Sequence, residues 1–146
     1  VKPPAFAGGF SFVARLYIKK GGLTPMAVTV TNQSNPLASK IVQDTGATNS
    51  AVDNTTGASG SLYMVEIDNT SYSTAVYFKL ADSADATAGT TAVTMQFLCP
   101  ASVKRSYVMP EGVAFASGFS HWCTTGAAQT DTAAPATPPT VRYVTS

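Results

Sequence analysis

A chain of 146 residues with 45% apolar side chains is one ordinary domain, large enough to bury a core without disulfide or metal support. Charged residues make up only 12%, about half the usual ~25%, and the net charge is +1, which excludes both a basic nucleic-acid stripe and a charge-rich disordered chain. The polar character comes instead from Thr, Ser, Asn and Gly, which shed water cheaply and suit either a surface covered by neighbours or an extracellular β-domain.

The chain opens on Val1, Lys2, Pro3 and Pro4, followed by Phe6, Gly8-Gly9, Phe10 and Phe12. This stretch reads as an extended arm, since a terminus of that kind has nothing to pin it unless a partner docks it. It has no apolar region of a secretory signal, and no apolar run anywhere is long enough to span a membrane. Phe12, Ala14, Leu16 and Ile18 then share one face of a first strand, broken by Gly21-Gly22. Residues 1–25 thus divide off as arm and first strand, with a sandwich domain over residues 26–146.

Period-two alternation recurs through that domain, and no stretch keeps a helical period. Met26, Val28 and Val30 alternate with small residues, and a short strand near residues 39–42 follows the turn signal Asn35-Pro36. Tyr63, Val65 and Ile67 alternate next, then Val76, Phe78 and Leu80 after Asp68-Asn69, a spacing that reads as a hairpin. Val93, Met95 and Phe97 follow, then residues 103–109, 113–124 and 140–145, the last with Val141 and Tyr143 aligned. Within 113–124 the parity slips at Ser117-Gly118, where a bulge or sharp bend is expected. Eight or nine short strands of this kind predict an all-β chain, a sandwich or barrel. Strands buried on one face need a second sheet to cover them, so a single antiparallel β-sandwich is expected. Val28, Val65, Ile67, Val76, Phe78, Val93, Met95 and Phe97 are the expected core, and Tyr63, Tyr107 and Tyr143 share its parity. Two long polar connections, residues 44–60 and 124–139, interrupt the strands and are either surface insertions or contact loops.

Few residues here invite chemistry. Asp44-Thr45-Gly46-Ala47 is similar to the aspartic-protease signature, in which paired carboxylates share a proton. Polar Gln43 stands where that family has an apolar residue, and a polar loop follows, so a turn is the expectation. His121 is the only histidine, which rules out a two-histidine metal site; Ser120 beside it points to the opposite face of a strand. Asp82 and Asp85 make at best a weak cation site. Glu66 reads as a solvent-face or interface residue. Cys99 and Cys123 read as buried thiols. Asn32, Asn54 and Asn69 begin sequon triplets, which matter only on a secretory route. No catalytic residue, metal or cofactor is expected.

From Ile67 onward the sequence resembles small virion structural proteins of tailed bacteriophages, the capsid decoration or cement-like kind. The residues that carry it are Ile67-Asp68-Asn69-Thr70, Ala75-Val76-Tyr77-Phe78-Lys79-Leu80 and Ala88-Gly89-Thr90-Thr91. Pro110-Glu111-Gly112-Val113-Ala114-Phe115 and Ser117-Gly118-Phe119, running into Thr124-Thr125-Gly126, complete the set. The first 60 residues show no such resemblance. It implies jelly-roll-like character, no enzymatic activity and a place on the virion, assembled in the host cytoplasm. Such a domain clamps the major capsid protein, commonly as a homotrimer, and involves neither nucleic acid nor membrane. Val1, Lys2, Pro3, Pro4, Phe6, Phe10 and Phe12 are the expected contacts. A tail or head-fibre component and a host-glycan-binding module are the alternatives.

Overall fold

The alternating apolar residues form eight strands: β1 (Val28–Asn35), β2 (Ala38–Asp44), β3 (Gly60–Asp68), β4 (Val76–Asp82), β5 (Met95–Cys99), β6 (Lys104–Phe115), β7 (Phe119–Thr124) and β8 (Thr140–Thr145). The structure is a computed structural model and describes residues 28–35 and 38–146, among which there is no helix. The arm and first strand expected over residues 1–25 lie outside the described residues, as do Met26 and Ala27.

The strands make two antiparallel sheets, one of five strands in the order β1-β2-β8-β3-β6 and one of three in the order β5-β4-β7. This is a β-sandwich with jelly-roll order. The run 2-8-3-6 faces 7-4-5, and residues 48–55 lie where that arrangement would place one more strand, beside β7. Val52 and His121 exchange both backbone hydrogen bonds, at 2.8 and 3.0 Å. Cys123 N–H donates to the Thr48 carbonyl at 2.7 Å and Thr55 N–H to the Phe119 carbonyl at 2.8 Å. Half of the long 44–60 connection is therefore a rudimentary strand that covers the β7 edge, which would otherwise be open to pairing. Its Asn, Ser and Thr side chains hide it from a pattern built on apolar alternation.

Val42, Leu62, Val65, Ile67, Val141 and Tyr143 from the larger sheet meet Val76, Phe78, Leu80, Phe119 and Cys123 from the smaller one, all fully buried. Phe78 stacks obliquely on Tyr143 across the sheets with ring centroids 6.0 Å apart, and Phe97 on Tyr107 at 5.1 Å. Val28, Met95 and Phe97 pack at the margin of this core. Val93 does not join it. It lies before β5, in a small second cluster with Trp122, Ala81 and Ala86 on the outer side of the smaller sheet.

Two further expectations change. β3 and β4 are not a hairpin: β3 pairs with β6 and β8, whereas β4 pairs with β5 and β7, so residues 69–75 cross between the sheets. Tyr63 is only half-buried, because the register shifts between Leu62 and Met64. Opposite this shift β6 runs from Val113 to Val108, and its extra residues form a bulge. Gly112 sits in the bulge at φ 73°, where an added Cβ would lie 2.9 Å from the Tyr63 ring. The bend expected at Ser117-Gly118 is present as the break between β6 and β7, with Gly118 at φ 134°.

Candidate functional site

Asp44 of the Asp-Thr-Gly signature and His121, the chain's one histidine, come together inside the sandwich. Asp44 closes β2 facing inward, and Gly46 N–H donates to its Oδ1 at 2.9 Å, so the expected turn is present. Its other oxygen, Oδ2, lies 3.0 Å from His121 Nε2 on β7. His121 Nδ1 is 3.2 Å from the Tyr143 hydroxyl on β8. That hydroxyl makes a hydrogen bond with Thr55 Oγ1, which lies 2.8 Å from the Phe119 carbonyl. With Thr55 donating to that carbonyl, Tyr143 donates to Thr55 and accepts from Nδ1–H. One proton is then shared between His121 Nε2 and Asp44.

The network spans both sheets and the covering segment, and it is sealed. Asp44, His121 and Tyr143 all have 0% exposure. Burial pushes the Tyr143 phenol well above its ordinary range, so it stays protonated. The order carboxylate–imidazole–hydroxyl is the order of an acid-base relay, but catalysis needs the terminal hydroxyl within reach of a substrate. Here its outer neighbours are Thr55 and the core, so what the arrangement does is fasten β2, β7, β8 and residues 48–55 to one another. His121 is thus the buried partner of a carboxylate.

The remaining candidates have structural positions. Ser120 points away from His121, with its hydroxyl donating to the Ser83 carbonyl at 2.8 Å. Asp82 accepts backbone N–H groups from Ala116 and Ser117, each at 2.8 Å, which holds its carboxyl below the usual range. It is spent on closing the β6–β7 turn, and no cluster of metal-binding side chains occurs among the described residues. Glu66 lies on the outer face of the larger sheet, 2.9 Å from Lys104. Asn69 is buried, its amide donating to the Thr74 and Pro100 carbonyls, and no sugar can be attached there. Cys99 and Cys123 are free buried thiols. Trp122 is buried, whereas Tyr63, Tyr72, Tyr77, Phe97 and Tyr107 are half-buried.

The 124–139 connection folds back over the outer face of the smaller sheet. Lys79, buried in mid-strand on β4, donates to the Ala128 carbonyl at 2.6 Å, and Asn49 to the Thr132 carbonyl at 2.6 Å. Desolvation pulls the Lys79 ammonium below its ordinary range, partly offset by Asp131. Two shallow depressions border these loops. One of about 150 Å³ is lined by residues 68–72 and 137–140. One of about 350 Å³ lies between Asn49–Ala51, Asp53, Ala86–Ala88 and Thr132. Tyr72 lines the first, and no aromatic residue lines the second. Val1, Lys2, Pro3, Pro4, Phe6, Phe10 and Phe12, the contact residues expected from sequence, lie outside the described residues.

Comparison with protein families, with curated proteins and with solved structures finds no match to this chain.

Proposed function

We propose that the chain is a non-enzymatic structural protein of a tailed-phage virion, a cement or decoration protein that binds the major capsid protein and stabilises the shell. The observation that carries the reading is the jelly-roll sandwich itself, together with a 12% charge content that suits a surface covered by neighbours. The sealing of the sole histidine and its carboxylate inside the sandwich supports a role without catalysis. A protein that binds only the assembled shell stabilises it by mass action. The N-terminal residues Val1 to Phe12 supply part of the contact with the shell. Glycan binding is less well supported, because stacking on sugars needs clustered exposed aromatic rings and the described ones are half-buried or buried.

The test is a particle assembled with a chain lacking residues 1–9. Lower occupancy and a lower melting temperature of the shell are expected, with the sandwich still folded. Full occupancy and unchanged melting would move the contact elsewhere on the domain. A protein found only at the tail tip would remove the shell reading.

A further inference from the structure

On the outward face of the five-stranded sheet, the register fixes two rows that run across β2, β8, β3 and β6. Ile41, Val144, Met64 and Val108 stand side by side in one row, and Gln43, Arg142, Glu66 and Ser106 in the next. The first row is apolar throughout, and Val108 at its end is 67% exposed. In the second, Arg142 donates to Gln43 at 3.0 Å and Lys104 pairs with Glu66. None of these side chains belongs to either core cluster. The outer face of the smaller sheet, by contrast, is covered by its own loops over Trp122 and Lys79.

We propose that this face binds the same face of a second copy of the chain, about a two-fold axis parallel to the strands and passing between β8 and β3. That axis lays β8 of one copy over β3 of the other, and β2 over β6, at equal heights. Ile41 then meets Val108 of the second copy, Val144 meets Met64, Gln43 meets Ser106 and Arg142 meets Glu66, each pair occurring twice. Within these two rows every apolar side chain faces an apolar one and Arg142 faces Glu66, as an isologous contact requires. The position of the axis is fixed by charge. An axis on β8 sets Arg142 against itself, one on β3 sets Glu66 against itself, and one between β2 and β8 leaves Arg142 facing Gln43. Stacked sheets sit about 10 Å apart and cross at about 30°, so the pairs next to the axis carry the contact and Ile41 with Val108 forms its rim. A two-fold contact closes at two copies, in place of the three implied by the phage resemblance. It is independent of shell binding and is tested without a particle.

The experiment measures the mass of the purified full chain by light scattering and native mass spectrometry, for which two copies are expected. Arg142→Glu and Glu66→Arg each place like charges opposite one another, so each variant alone should run as one folded copy, with dissociation at least about tenfold easier. Both side chains point outward, so circular dichroism should be unchanged. Mixing the two variants in equal amounts places opposite charges together again at both sites, and the two-copy species should return. A wild-type mass of one or three copies overturns the proposal. So does a two-copy mass that either variant leaves intact, or a mixture that fails to recover it.

Discussion

His121 and Asp44, separated by 77 positions in the chain, form a buried ion-pair or hydrogen-bonded contact of 3.0 Å that joins the two sheets. Removing one member of such a pair leaves the other desolvated without compensation, which typically costs about 3–5 kcal/mol. Asp44→Ala and His121→Ala should each lower stability by that order in urea titrations. Because the two share one contact, the double substitution should cost clearly less than the sum of the singles. Additive losses would show that the contact contributes nothing.

Phe78 is fully buried and touches rings from both sheets, with centroids 6.5 Å from Phe97, 5.5 Å from His121 and 6.0 Å from Tyr143. Phe78→Ala should therefore cost about 3–5 kcal/mol by chemical denaturation. A loss below about 1 kcal/mol would place Phe78 outside the principal core.

The Cys123 thiol is pushed up to about 12 by burial, and Cys99 is raised for the same reason. At neutral pH almost no thiolate forms at either site, and alkylating reagents act on the thiolate. Brief treatment of the native chain should add no label by mass spectrometry, and treatment in denaturant should add two, one for each cysteine. Fast labelling of the native chain would mean that the sandwich opens readily at β5 or β7.

The Asp82 carboxyl is held below its ordinary range by N–H groups of Ala116 and Ser117. The unfolded chain therefore takes up the proton first as pH falls. The stabilisation is complete above the ordinary carboxylate value, below about pH 4 it begins to disappear, and it is gone once the folded carboxyl is protonated. Asp68 behaves alike through its bonds with Thr70. Asp82→Asn should therefore flatten part of the acid limb of a stability-against-pH curve, without removing it. Parallel curves for variant and wild type would deny Asp82 that role.

Lys79→Met keeps the buried stem and removes the ammonium that holds the Ala128 carbonyl. Replacing a buried charge with an apolar group of similar shape is often nearly neutral for global stability. The local effect should be larger, with faster amide exchange and proteolysis confined to residues 124–139. Unchanged exchange there would show that the loop is fixed by its other contacts.

Much of the architecture was legible from local pattern. Val65, Ile67, Val76 and Phe78 stand at alternate positions because one face of each strand is buried, and all four are in the core. Pairing order was not legible, because it depends on contacts such as Lys40 with Thr145 that leave no local trace. The supposed β3–β4 hairpin failed for that reason: a short turn-rich connection looks the same whether it joins neighbours or crosses between sheets. At the buried network, Asp44 showed only its turn oxygen to the sequence. Its second oxygen finds His121 through tertiary packing alone. The one available signal was a lone histidine amid apolar neighbours on a strand, which burial makes costly unless something polar waits for it.

The placing of β8 governs the order of events during folding. It lies between β2 and β3, pairing with both, so the larger sheet lacks its middle until residues 140–145 arrive. An emerging chain can bring β4, β5 and β7 together, but β2 and β3 must hold unpaired edges while it does. Chains whose pairing joins distant segments fold slowly, in milliseconds to seconds, and their open edges invite wrong partners in the meantime. Loss of this one strand should therefore yield insoluble protein rather than a smaller, stable remnant.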